Sequence, residues 1–267
     1  MTNPIKSRLQ AGETIAACWI NTGSPEACDI VVNAGWDVVV IDCEHGAAPL
    51  EEGLSLIRAV EAAGGQAILR VPDGHPTTLK RALDRGARSI IVPMVNSAEE
   101  ARAIAFASLY PPHGGRGYAA PIVRGSYYGR WSDYAQTAHE ELLLIVQCEH
   151  VDAVEELREI GKIPGIDMVF VGPNDLAGSM NLLERLEHPD LVAKKAEIEQ
   201  IASEEGIALG TITGGGRGWS ALKAAGYSLI IGPNDISLLF NAARSAHNDM
   251  LGELQAEAAP LKAARGY

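Results

Sequence analysis

Eight short apolar, mostly β-branched runs alternate with longer amphipathic segments, and this alternation limits the possible folds more than any other feature of the chain. The runs are Thr14–Ile20, Val38–Ile41, Gln66–Val71, Ser89–Val92, Leu142–Val146, Met168–Val171, Ala208–Ile212 and Leu229–Ile231. Val38-Val39-Val40-Ile41 has no polar position, as expected of a parallel strand covered on both faces. The intervening segments read as helices over Pro25–Asn33, Pro49–Ala63, Pro76–Arg85, a stretch after Ser97, Val151–Ile160, Pro189–Glu205 and Trp219–Ala225, with a last one from Ile236 to about Arg265. Ser24 and Ser97 are placed as N-caps, and Gly64 and Gly86 as stops. Eight such units in 267 residues predict an α/β fold, a (β/α)8 TIM barrel forming a single domain over residues 1–267. The rival is an open doubly wound sheet, but no G-x-G-x-x-G follows the first run.

One connection breaks the rhythm. From Tyr110 to His139, between strands four and five, the chain is rich in Gly, Pro, Tyr and Arg. A connection of that length inside a compact domain is usually functional or packs on a partner chain.

Charge and composition narrow the function. Lys plus Arg number 22 and Asp plus Glu 34, a net charge of −12. That balance argues against nucleic acid and against an anionic membrane surface, both of which need a basic footprint. No apolar run reaches the roughly 18 residues of a spanning helix. The polar start Met-Thr-Asn-Pro-Ile-Lys has no apolar signal core, so a cytoplasmic location is expected. Cys18, Cys28, Cys43 and Cys148 form no CxxC pair and read as reduced, buried thiols.

In a barrel of this kind the chemistry sits at the C-terminal ends of the strands. Those ends carry Asp42-Cys43-Glu44-His45, Arg70, Gln147-Cys148-Glu149, Gly172-Pro173-Asn174-Asp175 and Gly232-Pro233-Asn234-Asp235. Glu149 and Asp175, on neighbouring strands, could share a hard divalent cation such as Mg2+ or Mn2+; an N-cap and a surface acid would explain them as well. His45 suits a general base, with Asp84 as a candidate orienting partner, or a hydrogen-bonded rim residue. Arg70 suits a substrate carboxylate or a developing enolate oxygen, or a rim salt bridge. Gly214-Gly215-Gly216 fits a phosphate loop or merely a flexible one.

Several stretches together resemble the HpcH/HpaI aldolase family, the metal-dependent class II pyruvate aldolases. They are Ile41-Asp42-Cys43-Glu44-His45, Leu83-Asp84-Arg85-Gly86-Ala87, Val92-Pro93-Met94-Val95, Tyr110-Pro111-Pro112 with Gly115-Arg116-Gly117, Gln147-Cys148-Glu149 and Val171-Gly172-Pro173-Asn174-Asp175-Leu176. The resemblance runs from Leu9 to about Asn241. It implies cleavage or formation of 4-hydroxy-2-oxoacids, with pyruvate or a substituted pyruvate such as hydroxypyruvate as enolate donor and an aldehyde as acceptor. It further implies a divalent metal on Glu149 and Asp175 (Mg2+ or Mn2+ foremost, then Co2+ or Zn2+) and no organic cofactor. Arg70 would stabilise the enolate, His45 paired with Asp84 would move the proton, and Gln147 would support the metal. Backbone at Gly172, Asn174 and Asp175 would hold the carboxylate, with Trp19 and Ile212 shaping the pocket. A homohexamer built as a trimer of dimers, with exchanged C-terminal helices, is also implied. Asn174, Ala177 and Cys43 depart from the family pattern at the rim, which bears on the acceptor more than on the reaction.

Two other readings compete. A CoA-thioester lyase of malyl-CoA type would need a basic groove, for which Arg116, Arg124 and Arg130 are candidates. A non-catalytic barrel that binds a small carboxylate would have no need of the full set of rim residues.

Overall fold

In the computed structural model, which describes residues 2–257, eight parallel strands pair in chain order and close into one barrel. The strands are β1 (Ile15–Ile20), β2 (Val38–Asp42), β3 (Gln66–Arg70), β4 (Ser89–Val92), β5 (Leu143–Cys148), β6 (Met168–Val171), β7 (Leu209–Ile212) and β8 (Tyr227–Asn234). Side chains alternate along each strand and so build two apolar layers. Ala17, Val38, Val40, Ile68, Ile91, Ile145, Phe170 and Ile231 fill the barrel interior. Cys18, Val39, Ile41, Leu69, Ile90, Leu144 and Val169 face the surrounding helices. Both layers claim residues of Val38–Ile41, which is why that run has no polar position.

The helices are α1 (Pro4–Gln10), α2 (Pro25–Asn33), α3 (Leu50–Ala62), α4 (Pro76–Asp84), α5 (Ala98–Ser108), α6 (Tyr134–Glu141), α7 (Val151–Glu155), α8 (Leu157–Ile160), α9 (Pro173–Ser179), α10 (Pro189–Glu205), α11 (Trp219–Ala224) and α12 (Asp235–Glu257). Ser24 and Ser97 cap α2 and α5 through their side chains, as expected. Helix α1 lies outside the sequence expectation. Asn3 caps it, and Ile5 enters the barrel interior. The Asn3 amide also donates to Arg88 O, Ser89 Oγ and Glu141 O, closing the end of the barrel away from the rim.

The expected helix Val151–Ile160 divides at Glu156, which leaves helical geometry (φ −98°, ψ 5°). Its carboxylate accepts the Ala98 N–H at the start of α5 at 2.6 Å. The long β4–β5 connection contains two short 3-10 turns and α6, packed around Tyr110 and Tyr134. All four cysteines are free and buried. Burial pushes their thiols up to about 12, so they carry no thiolate at neutral pH. Among the described residues no helix is long and apolar enough to cross a membrane. The expected end of α12 near Arg265 lies outside the described residues.

Candidate active site

The β2–β3 register sets Asp42 directly beside Arg70 at the C-terminal rim. Arg70 Nε donates to Asp42 Oδ1 at 2.9 Å and Nη2 to Oδ2 at 2.7 Å, a two-pronged grip. Nη1 lies 2.9 Å from Glu44 Oε2, and the guanidinium carbon lies 4.5 Å from the centre of the Trp19 ring. The buried Asp42 also accepts Asn21 Nδ2 at 2.6 Å and the N–H groups of Glu44 and His45. Burial works to raise the Asp42 pKa. The Arg70 hydrogen bonds and charge, with the two backbone donors, outweigh it and hold the carboxyl below its ordinary value. Arg70 is therefore held from both prongs by a carboxylate whose ionised form the site favours.

Across the rim stands Glu149, just past β5 and only 2% exposed. Its Oε1 accepts the Met94 N–H at 2.7 Å and its Oε2 accepts Gln147 Nε2 at 2.6 Å. Met94 holds a left-handed backbone (φ 53°), an unfavourable conformation for a side-chain-bearing residue, and in it the N–H reaches this carboxylate. A Cβ on Gly172 would overlap Glu149 Oε2, so only glycine lets β6 end so close. Burial raises the Glu149 pKa, Met94 and Gln147 oppose this, and the charges of Asp175 and Glu44 raise it further. Burial is also the main cause that raises Glu44. Asp175 lies in the first turn of α9.

Carboxylates that discourage one another's ionisation suit a cation. The buried Gln147 Oε1 has no partner, which leaves a further oxygen unsatisfied beside Glu149. These donors are hard oxygens, matching Mg2+ or Mn2+ rather than a thiolate-seeking metal. No group of three or more His, Cys, Asp or Glu side chains among the described residues could hold one ion. Two carboxylates, with waters or substrate oxygens completing the shell, is the arrangement these residues fit.

One cavity of about 340 Å³ is lined by Trp19, His45, Arg70, Gln147, Glu149, Gly172, Asn174, Asp175 and Ile212, all singled out in the sequence. It is also lined by Asn21, Asp42, Phe170, Pro173 and Asn234. The His45 side chain is 66% exposed, with Nε2 3.7 Å from Glu44 Oε2. Asp84 is the one predicted site residue that does not line this cavity. It accepts Arg116 Nη2 at 2.7 Å, and no ion pair joins it to His45 among the described residues. The reason is packing: Arg116 is buried at 5% exposure with its guanidinium 4.4 Å over the Tyr110 ring, and Asp84 supplies its counter-charge. Asp42, not Asp84, is the acid that orders the rim, and the sequence signal for it was its place at the end of β2.

The basic groove imagined for a CoA ligand loses two of its arginines to acids, Arg116 to Asp84 and Arg124 to Glu61. The two Gly-Pro-Asn-Asp copies also diverge. The first opens α9, whereas in the second Asp235 accepts the N–H groups of Asn21 and Thr22 and ties β8 to the end of β1. Gly214–Gly216 forms a tight turn with positive φ at all three residues, and Glu187 lies against Gly216, a poor setting for phosphate.

The family model described as HpcH/HpaI aldolase/citrate lyase matches residues 16–242. The chain belongs to this family. A hydroxypyruvate/pyruvate aldolase of Paraburkholderia phytofirmans is 35% identical over 92% of this chain and 96% of its own length. A 2-keto-3-deoxy-L-rhamnonate aldolase of Klebsiella pneumoniae is 36% identical over 72% of each. Among solved structures, an HpcH/HpaI aldolase/citrate lyase family protein from Burkholderia cenocepacia superposes with a TM-score of 0.86 at 34% identity, covering 93% of this chain and 99% of that one. The chain is thus an enzyme of the aldolase type, and the rim cavity is its candidate active site.

Proposed function

We propose that this HpcH/HpaI member is a divalent-metal-dependent aldolase that joins pyruvate or hydroxypyruvate, as enolate donor, to an aldehyde, and cleaves the resulting 4-hydroxy-2-oxoacid. One observation carries the reading: a guanidinium locked by a buried carboxylate shares a cavity with the mutually repelling Glu149 and Asp175. Glu149 and Asp175 would hold Mg2+ or Mn2+, and the bound ion would act as a Lewis acid toward the donor's keto oxygen.

The chain's own residues do the rest. Arg70 presents fixed positive charge where the enolate oxygen develops, and the Asp42 grip removes the need to reorganise it during the reaction. Gln147 and the Met94 N–H orient Glu149. The N–H groups of Asn174 and Asp175, at the opening turn of α9, face the donor carboxylate beside Gly172. His45, exposed at the cavity mouth, exchanges the proton with the substrate. Asp84 is given no part in that step within one chain, since it is committed to Arg116. Trp19, Phe170 and Ile212 keep water from the reacting carbon. No lysine lines the cavity among the described residues, which favours the metal route over a Schiff base.

Exchange of the pyruvate methyl protons in D2O, followed by NMR with Mg2+ or Mn2+ and with EDTA, tests this without knowledge of the acceptor. Metal-dependent exchange that vanishes in Glu149→Ala is expected. No exchange with any divalent metal would sink the reading.

The assembly proposed with it is a homohexamer, a trimer of dimers with exchanged C-terminal helices. Leu238, Leu239, Phe240, Met250, Leu251 and Leu254 of α12 are all exposed, an apolar surface that supports burial against another copy. Light scattering that gives a monomer at micromolar concentration would contradict it.

A further inference from the structure

Two asparagines on one wall of the cavity have no part in the chemistry above. In a closed barrel with strands in chain order, β8 and β1 lie across from β4 and β5. Asn234 and Asn21 therefore face the cavity from the side opposite Glu149. The register pairs Asn234 with Trp19, and Asn21 follows Trp19 by two residues.

Hydrogen bonds fix how each amide is turned. Asn21 Nδ2 donates to Asp42 Oδ2, and a carboxylate held below its ordinary pKa only accepts, so Oδ1 is the other end. Asn234 Oδ1 accepts the Ser237 N–H at 2.7 Å, so Nδ2 is its uncommitted end. Neither Asn21 Oδ1 nor Asn234 Nδ2 has a partner among the described residues. The wall offers the cavity one acceptor and one donor, the complement of a hydroxyl group. Arg70 is the one guanidinium on the cavity lining among the described residues, and it is tied to Asp42 and Glu44. A substrate bearing a second anionic group finds no ammonium or guanidinium on this wall among the described residues.

We infer that Asn21 and Asn234 form the acceptor half of the site and select a neutral hydroxyaldehyde over its alkyl counterpart. The inference rests on the aldolase reading. In the addition step the donor methyl loses a proton, its carbon bonds to the aldehyde carbon, and the aldehyde oxygen gains a proton. No oxidant or reductant is needed, and the two amides touch only the aldehyde substituent.

The test compares kcat/KM for pyruvate addition to glycolaldehyde and to propionaldehyde, which are similar in size, with Mn2+ present. The change in their ratio between wild type and variant cancels the intrinsic reactivity of each aldehyde. Asn234→Leu removes the amide while keeping the branched shape of the side chain, though Leu is bulkier. Asn234→Asp keeps an oxygen for the Ser237 N–H but replaces the free donor with an acceptor, so one variant reports even if the other fails to fold. The ratio is expected to fall about tenfold, the scale of one well-placed hydrogen bond. A ratio within about twofold of wild type in the folded variants would overturn the inference, as would a wild type that exchanges pyruvate protons but accepts neither aldehyde. Absence of pyruvate exchange in the wild type would overturn the aldolase reading instead.

Discussion

Arg70→Lys isolates what the guanidinium contributes, because it keeps the charge and removes the fork. Arg70 binds both oxygens of Asp42, at 2.9 and 2.7 Å, and still has a third nitrogen 2.9 Å from Glu44. An ammonium places all its donors on one nitrogen. It cannot span Asp42 and also present a fixed N–H to the cavity, and it loses the guanidinium contact over the Trp19 ring. Removing one preorganised oxyanion donor costs about 2.7–4 kcal/mol of barrier, a factor of roughly 100 to 1,000. Pyruvate proton exchange at saturating donor and metal should fall by at least about 100-fold. Asp42 keeps Asn21 and two backbone donors, so the fold should lose no more than about 1–3 kcal/mol. Thermal unfolding measured alongside separates the two effects. A folded Lys variant that keeps more than about a tenth of the exchange rate would remove Arg70 from enolate stabilisation.

Glu149→Gln should raise stability while abolishing exchange. Burial and the neighbouring carboxylates raise the Glu149 pKa, so its charged form weakens the metal-free fold at neutral pH, a penalty that disappears as pH falls below the ordinary carboxylate range. The Gln147 amide can turn its unpartnered Oε1 toward the new donor, so Tm in EDTA should rise by at least about 2 °C at pH 7 and lose that advantage near pH 4; an unchanged or lower Tm at pH 7 would refute this. Gly172→Ala tests the close approach of β6 to Glu149. Its φ of −91° suits any residue, so backbone strain plays no part, but the new Cβ overlaps Glu149 Oε2. A stability loss of about 1–3 kcal/mol and a clearly higher Mn2+ requirement for exchange are expected, and a variant matching wild type in both would show that the carboxylate has room to spare.

The barrel was legible because its signals are local. β4 and β6 begin and end where the apolar runs do, and α2 spans its expected residues because Ser24 and Pro25 set its start. Helix α1 is a short element held by distant partners. Asn3 of α1 bonds to residues 85 to 138 positions away, information no window of sequence contains. The same divide runs through the site. Position at a strand end marked Glu149, Asp175, Arg70 and His45 as rim residues. Which acid holds Arg70 depended on the register between two strands, and that register chose Asp42. Within one chain Asp84 pairs with Arg116, 32 residues further along, a contact set by packing that no local signal announces. Gly-Pro-Asn-Asp makes the point with four letters that open a helix at one strand end and extend the strand at another.

The rim hydrogen bonds also explain why such a polar surface can be rigid. Asp235, where α12 begins, accepts the N–H groups of Asn21 and Thr22, with the Thr22 hydroxyl on the same carboxylate. Asn21 in turn donates to Asp42, and Asp42 holds Arg70. Asp42 and Asp235 are buried, and each carboxylate is satisfied by its neighbours in this chain, so its desolvation penalty is met by bonds that exist before any substrate arrives. An arginine on a strand end without such support would keep its rotamer freedom and its water, and would have to surrender both as the enolate formed. Burial raises the pKa values of Glu149 and Glu44, and the buried Gln147 Oε1 beside Glu149 is left without a partner. A rim that fixes Arg70 in advance and leaves Glu149 electrostatically frustrated concentrates its unmet affinity for positive charge beside Glu149, and that place is where a divalent cation would remove the conflict.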